Sequence, residues 1–264
     1  MPSKPSGSAD TIQAIAGRIA VAEALERDGS AIDKVLLAKK DSGKALRVIA
    51  DSARKLGIPV QYVPETKLSG LSGGANHQGI VALISPVAFV DVDTMLSNIG
   101  SDLDSVRKIK PLVVILDRIE DPQNYGAIVR SVVGCGAAGV IVPSKQMAPV
   151  NAHAIKASAG AILRIPMSRV SNLTTTIEML KERGYWIVGA DGDGKTTFQE
   201  MDWDRPLALV IGNEHAGLSA AVKSVCDYTV SIPLSGDIES LNASVAAGIL
   251  LFAARGDKKE ASSA

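Results

Sequence analysis

From residue 112 onward the chain carries short, nearly unbroken apolar runs at 112–116, 140–142, 185–188, 207–211 and 228–232, separated by stretches with helical spacing. A strand with one wet face alternates apolar and polar residues, so an unbroken run must be covered on both sides. That requires a mostly parallel sheet with helices on both faces. The pattern predicts strands at 112–116, 140–142, near 162–165, 185–188, 207–211 and 228–232. Helices are expected from 126, at 152–159, 173–183, 219–225 and 241–254.

Upstream the same reading gives a smaller α/β unit. An amphipathic pattern through Ile15, Ile19, Ala22 and Leu25 predicts a helix from 11 that stops at Gly29. A strand at 35–38, a helix at 44–56 closed by Gly57 and a strand at 60–63 follow. Residues 68–76 read as a Gly/Ser-rich loop, and 79–84 as a last strand. Acid- and Ser-rich residues 86–110 read as a connection, with one short helix near 93–99. The expected organisation is a flexible tail at 1–10, a small domain at 11–85, the connection at 86–110, a larger domain at 111–256 and a second tail at 257–264.

A chain of 264 residues accommodates two domains, and 46% hydrophobic with 21% charged residues supports a sizeable core. No apolar run reaches the length of a membrane span, and the N-terminus lacks the apolar centre of a signal peptide, so a cytoplasmic location is expected. Cys135 and Cys226 fit neither a disulfide framework nor a ligand set, and His77, His153 and His215 lack ligand spacing. No metal is expected. Basic and acidic residues balance at 28 each, which excludes a globally basic nucleic-acid binder. Residues 1–85 carry 11 basic and 8 acidic groups, whereas 111–264 carry 14 and 16. RNA, if bound, is gripped through local patches and chiefly by the first domain.

Three polar loops each follow a predicted strand and open into a helix: NYGAIVR (Asn124 to Arg130), GNEHAGL (Gly212 to Leu218) and the stretch IPLSGDIESLNASVAAGILLF from Ile232. Loops at the carboxyl ends of strands are where such sheets bind ligands, so all three converge on one site. In the stretch from Ile232, the small residues between strand and helix leave backbone N–H groups free for an acceptor such as a purine edge. Each residue also has a plainer reading. Asn124 and Ser240 or Asn242 suit helix caps, Arg130 a surface ion pair, Glu214 a helix N-terminal charge, and Ile232 and Leu241 ordinary core. A fourth stretch, GADGDGKT at 189–196, satisfies a P-loop pattern. Against it, Pro206 and the tract 202–204 leave little room for the helix that must start at Lys195, and Asp191 and Asp193 would face phosphates with like charge.

The set N-x-G-x-x-x-R, G-N-E-x-x-G-L and I-P-x-x-G-x-x-x-S-L-N resembles the three motifs of the SpoU (TrmH-like) RNA ribose 2′-O-methyltransferases. Leu234 and Ala243 stand where that pattern has Met and Val. Ile15-Ala16-Gly17, 20–25 and HQGIVA at 77–82 resemble the accessory domain of the subgroup that methylates a guanosine in large-subunit ribosomal RNA. The resemblance implies an L30e-like α/β domain followed by a SPOUT-like α/β parallel-sheet domain closed by a trefoil knot, although knots are otherwise rare. It implies a homodimer through the C-terminal domain, with S-adenosyl-L-methionine as methyl donor and RNA as partner.

By the same resemblance Gly212, Ile232 and Leu241 hold the cofactor, while Asn124, Arg130, Glu214, Ser240 and Asn242 form the catalytic set. A guanidinium stays protonated in proteins, so Arg130 is expected to hold the target phosphate and lower the pKa of the 2′-hydroxyl, not to act as a base. The expected substrate is a guanosine of large-subunit (23S) ribosomal RNA. A transfer RNA guanosine is the alternative, with a non-catalytic RNA-binding protein behind it.

Overall fold

The computed structural model describes residues 14–39, 43–236 and 240–256. Both expected tails therefore lie outside the described residues. The chain divides into two compact units, one within 1–88 joined by 149–153, the other within 89–148 and 154–264.

The first unit contains β1 (Ala14–Ala16), α1 (Arg18–Asp28), β2 (Ile32–Ala38), α2 (Lys44–Lys55), β3 (Val60–Val63), α3 (Glu65–Leu71) and β4 (Ile80–Ile84). The sheet order is β1-β4-β2-β3, with β4 antiparallel to β1 and β2, and β3 parallel to β2. β2 is apolar on both faces, and the sheet sorts its side chains accordingly. Ile32, Val35 and Leu37 pack with Val21, Leu46 and Ile49, while Leu36 and Ala38 pack with Leu68 on the other side. A register shift between Ile32 and Lys34 lets Ile32 share a face with Val35.

Two expectations fail in this unit. Residues 14–16 are not the start of a helix, because they pair with β4, Ala14 opposite Leu83 and Ala16 opposite Val81. The helix starts only at Arg18, whose N–H donates to Gln78 Oε1 at 3.1 Å, and Ile19 is 74% exposed instead of core-facing. The expected loop at 68–76 begins inside α3, since Leu68 is fully buried against the sheet.

The second unit begins with α4 (Val92–Ile99) and α5 (Leu103–Ile109), in what the sequence suggests is a connection. Both are capped, Asp91 accepting from the Thr94 N–H and Asp102 forming a reciprocal capping box with Ser105. Met95, Leu96 and Val106 are buried in this unit's core beside Ile115, Ile177 and Ile187, so the stretch is structural, not a linker. The remaining elements are β5 (Leu112–Leu116), α6 (Pro122–Gly134), β6 (Gly139–Pro143), α7 (Ala152–Ala157), β7 (Met167–Val170), α8 (Leu173–Glu182), β8 (Trp186–Ala190), β9 (Thr196–Thr197), β10 (Leu207–Ile211), α9 (Ala220–Ser224), β11 (Tyr228–Ser231) and α10 (Ala243–Arg255).

The seven-stranded sheet has the order β7-β6-β5-β10-β8-β11-β9, and every pairing in it is parallel. β10 lies at its centre with all five residues buried, as its apolar run requires. The strand expected near 162–165 is displaced to β7, and Ala161–Leu163 forms a 3₁₀ turn instead. No helix opens at Lys195. Thr196 and Thr197 pair with β11, which removes the P-loop reading. Among the described residues, no helix is long and apolar enough to cross a membrane.

Candidate active site

Parallel pairing puts the carboxyl ends of β5, β8, β10 and β11 along one edge of the sheet, and the polar loops leave from that edge. After β5 the chain runs through Asp117 and Arg118 into α6. The cap of α6 is Asp121, whose carboxylate accepts from the backbone N–H groups of Gln123 and Asn124, with Pro122 filling the first helical position. Asn124 is therefore not the cap, and its side chain is free for another partner.

That partner is Glu214. Asn124 Nδ2 donates to Glu214 Oε2 at 2.7 Å, and Asn242 Nδ2 donates to Asn124 Oδ1 at 3.0 Å and to Glu214 Oε2 at 3.3 Å. Asn242 is at the same time the cap of α10, its Oδ1 accepting from Ser244 N at 2.9 Å and Ser244 Oγ at 2.6 Å. One residue from each loop thus joins a closed hydrogen-bonded triangle. His215 Nε2 lies 3.3 Å from Glu214 Oε1, on the solvent side.

Beside the triangle opens a cavity of about 210 Å³ whose lining includes Gly212, Glu214, Ile232, Ser240 and Leu241. Gly212 is obligatory at this bend, because a Cβ there would stand 2.5 Å from the backbone carbonyl group of Gly217. Asp191 and Gly192, from the loop after β8, form another wall. The Asp191 carboxylate is ion-paired with Lys223, and that hydrogen bond raises the lysine's pKa. Burial pushes the Cys226 thiol up to about 11, so it remains protonated at neutral pH.

Of the eight site residues expected from sequence, Asn124, Glu214 and Asn242 meet directly, while Gly212, Ile232, Ser240 and Leu241 join Glu214 around the cavity. Ser240 makes no hydrogen bond to a described residue; the serine that pairs with Asn242 is Ser244. Arg130 stands apart. It follows Asn124 by six positions on α6, about 9 Å along the axis and about 120° around it, so the two do not project together from the helix start. Its side chain is exposed and has no hydrogen bond or ion pair with a described residue. Sequence reasoning gave no role to Asp117, Arg118 or Asn213, which bond between the β5 and β10 loops. Asn213 lies inside a motif, whereas the signal for Asp117 and Arg118 was their place between an apolar strand and a motif.

Comparison with known proteins identifies the family. Residues 111–252 match the SpoU rRNA Methylase family, and residues 14–90 match the family described as RNA 2′-O ribose methyltransferase substrate binding. The chain is 39% identical over 238 residues to YacO of Bacillus subtilis, named for the TrmH family of tRNA/rRNA methyltransferases, covering 90% of this chain and 93% of that protein. A Staphylococcus haemolyticus protein named for the same family is 40% identical with the same coverage. Among solved structures, the SpoU methyltransferase AviRb from Streptomyces viridochromogenes in complex with AdoMet is similar with TM-score 0.57 and 26% identity, covering 93% of this chain and 90% of that one. An AdoMet-bound rRNA methyltransferase from Sinorhizobium meliloti also gives TM-score 0.57 at 26% identity, covering 93% and 87%. The matched families account for both halves of the sequence, and the chain belongs to the SpoU, or TrmH-like, family of RNA ribose 2′-O-methyltransferases.

Proposed function

We propose that the protein methylates the ribose 2′-hydroxyl of a guanosine in large-subunit ribosomal RNA, acting as a homodimer. The observation that carries this reading is the Asn124–Glu214–Asn242 triangle at the rim of the cavity formed by the Gly212 loop, Ile232 and Leu241. The cavity suits S-adenosylmethionine. Its glycine-bearing loop brings main-chain groups to the surface, its apolar side chains can flank an adenine, and carboxylates stand at its walls. When bound, the cofactor supplies a methyl carbon already activated on a sulfonium.

What the protein must supply is orientation and proton management for a weakly nucleophilic hydroxyl. Glu214 gathers both asparagine amides on one oxygen and so fixes two helix starts, α6 and α10, against the cavity. Arg130, cationic and unpaired with any described residue, is available to an RNA phosphate. The dimer reading is supported by α10, where Val245 and Phe252 are 49% and 52% exposed one heptad apart, with Ile249 half-buried between them. Two such stripes facing each other would cover apolar surface that a lone chain leaves wet.

The choice of ribosomal RNA rests on the N-terminal match to a substrate-binding family and on the rRNA methylase family of the catalytic unit. Relatives named for both tRNA and rRNA make transfer RNA the competing substrate. Incubation with labelled S-adenosylmethionine and either unmodified large-subunit RNA or bulk transfer RNA separates them. Label on a ribosomal guanosine ribose is expected. Label confined to transfer RNA overturns the substrate assignment, and label on neither, with no cofactor binding, overturns the activity.

A further inference from the structure

We infer that Arg118 is a positioning residue that latches the Glu214 loop and thereby sets the cofactor cavity. The inference rests on the methyltransferase reading for its consequence, but on hydrogen-bond geometry for its substance.

β5 and β10 are neighbours in the sheet, and the chains leaving them run side by side. Asp117 continues the pairing by donating its N–H to Ile211 O at 2.8 Å, and its carboxylate, in a residue only 3% exposed, accepts from Ser219 N at 2.6 Å. The next residue, Arg118, has φ +61°, a left-handed conformation that a long side chain adopts at a cost. The turn it makes aims two groups of one residue at the neighbouring loop. Its backbone oxygen accepts from Asn213 Nδ2 at 3.1 Å, and its Nη2 donates to Gly217 O at 3.1 Å while Nε reaches Asp117 Oδ1 at 3.3 Å.

The loop so held closes on itself. Asn213 and Gly217 exchange backbone hydrogen bonds at 3.1 and 2.9 Å, and Asn213 Oδ1 accepts from His215 N and Ala216 N. Every residue from Gly212 to Gly217 except Ala216 lines the cavity. The two anchor points of the latch, Asn213 and Gly217, therefore bracket Glu214. Arg118 also lies on the short link between β5 and α6, so it ties the element bearing Asn124 to the loop bearing Glu214. A guanidinium is the group this task needs, because it bonds a carboxylate and a carbonyl at once in a fixed fork; an ammonium at the same place can keep the charge beside Asp117 without spanning both.

The test compares wild-type full-length protein with Arg118→Ala and Arg118→Lys. Amide hydrogen exchange over 212–219 is expected to accelerate at least tenfold in both variants, with β5 and α8 unchanged. S-adenosylhomocysteine affinity, measured by calorimetry, is expected to fall about tenfold in both. In turnover, the KM for the cofactor should rise by the same factor while kcat at saturating cofactor stays within threefold, a split that general loss of stability does not produce. Arg118→Lys retains the charge partner of the buried Asp117, so it tests the latch even if the alanine variant folds poorly. Unchanged exchange in the loop, unchanged affinity, or full rescue by lysine overturns the proposal. Failure of wild-type protein to bind S-adenosylhomocysteine would count against the methyltransferase reading instead, and the exchange comparison would still decide the latch.

Discussion

Asn124 Nδ2 and Glu214 Oε2 are 2.7 Å apart although 90 positions separate them in the chain, and the same carboxylate oxygen also receives Asn242. A carboxylate that accepts two amides from two different helix starts acts as the fixed point of the site. Hydrogen bonds to a charged group contribute about 1.5–3 kcal/mol each, and removing the acceptor leaves both donors to water. Glu214→Ala is therefore expected to lower kcat/KM for RNA methylation by about 10- to 100-fold. Asn124→Ala should lose a similar amount, and the double variant little more than the worse single one. Strictly additive losses would show that the two side chains act independently.

Gly212→Ala places a methyl group 2.5 Å from the Gly217 carbonyl group and 2.6 Å from Leu218 N, all backbone atoms that cannot rotate away. The loop must shift, and the cavity wall with it. Calorimetry with S-adenosylhomocysteine should show affinity reduced by more than about tenfold, roughly the 1.4 kcal/mol that a modest displacement of several contacts represents. Near-normal affinity would mean that this loop does not form the cofactor pocket.

Gly126 answers a different question, that of stability. A Cβ there would lie 2.3 Å from Ala154 O and 2.7 Å from Ala157 Cβ. Gly126→Ala should cost about 1–3 kcal/mol through overpacking. In a unit of this size that corresponds to a melting temperature lowered by about 3–10 °C. Differential scanning calorimetry measures it directly.

Two buried protons set an alkaline limit. Burial raises the Cys226 thiol from 9.0 to about 11 and the Tyr185 hydroxyl from 10.0 to about 12. The unfolded chain loses these protons first, so the folded state binds more of them between those values. Their contribution is fully present below about pH 9 and is lost as pH rises toward 12. Thermal unfolding followed from pH 8 to 11 should show a falling midpoint, with a shallower slope in Tyr185→Phe. Because Tyr185 Oη is buried without a hydrogen-bond partner among the described residues, the phenylalanine variant should also be more stable at pH 7, by about 1 kcal/mol.

The exposed stripe on α10 bears on assembly. Phe252→Asp puts a charge at one end of the proposed contact stripe, on a side chain that is half-exposed in the lone chain. Light scattering should report a dimer for the wild-type protein and a monomer for this variant. A variant that remains dimeric would place the interface elsewhere.

The parts of the fold legible in the sequence are those decided locally. β10 shows as an unbroken apolar run, α2 as a periodic stretch closed by Gly57, and α10 as the helix after Asn242. What stayed hidden depended on partners far along the chain. β1 is a strand only because β4 pairs with it, and α5 contributes one buried residue, Val106, too little to show as a periodic face. The site divides in the same way. Motif residues at strand ends were found by pattern, whereas Asp117 and Arg118 matter through bonds to positions about a hundred residues away, which no local spacing encodes. Arg130 shares a motif with Asn124, but six positions along α6 carry it round to another face.

The bond between Asn124 and Asn242 spans 118 positions, and α10 packs along α6 to make it. Closing a loop of that length costs more chain entropy than the local contacts within either helix. Until α10 docks, Asn124 and Glu214 lack their third partner and the triangle stays open. Competence to modify RNA is in this sense tied to how well α10 is seated on α6.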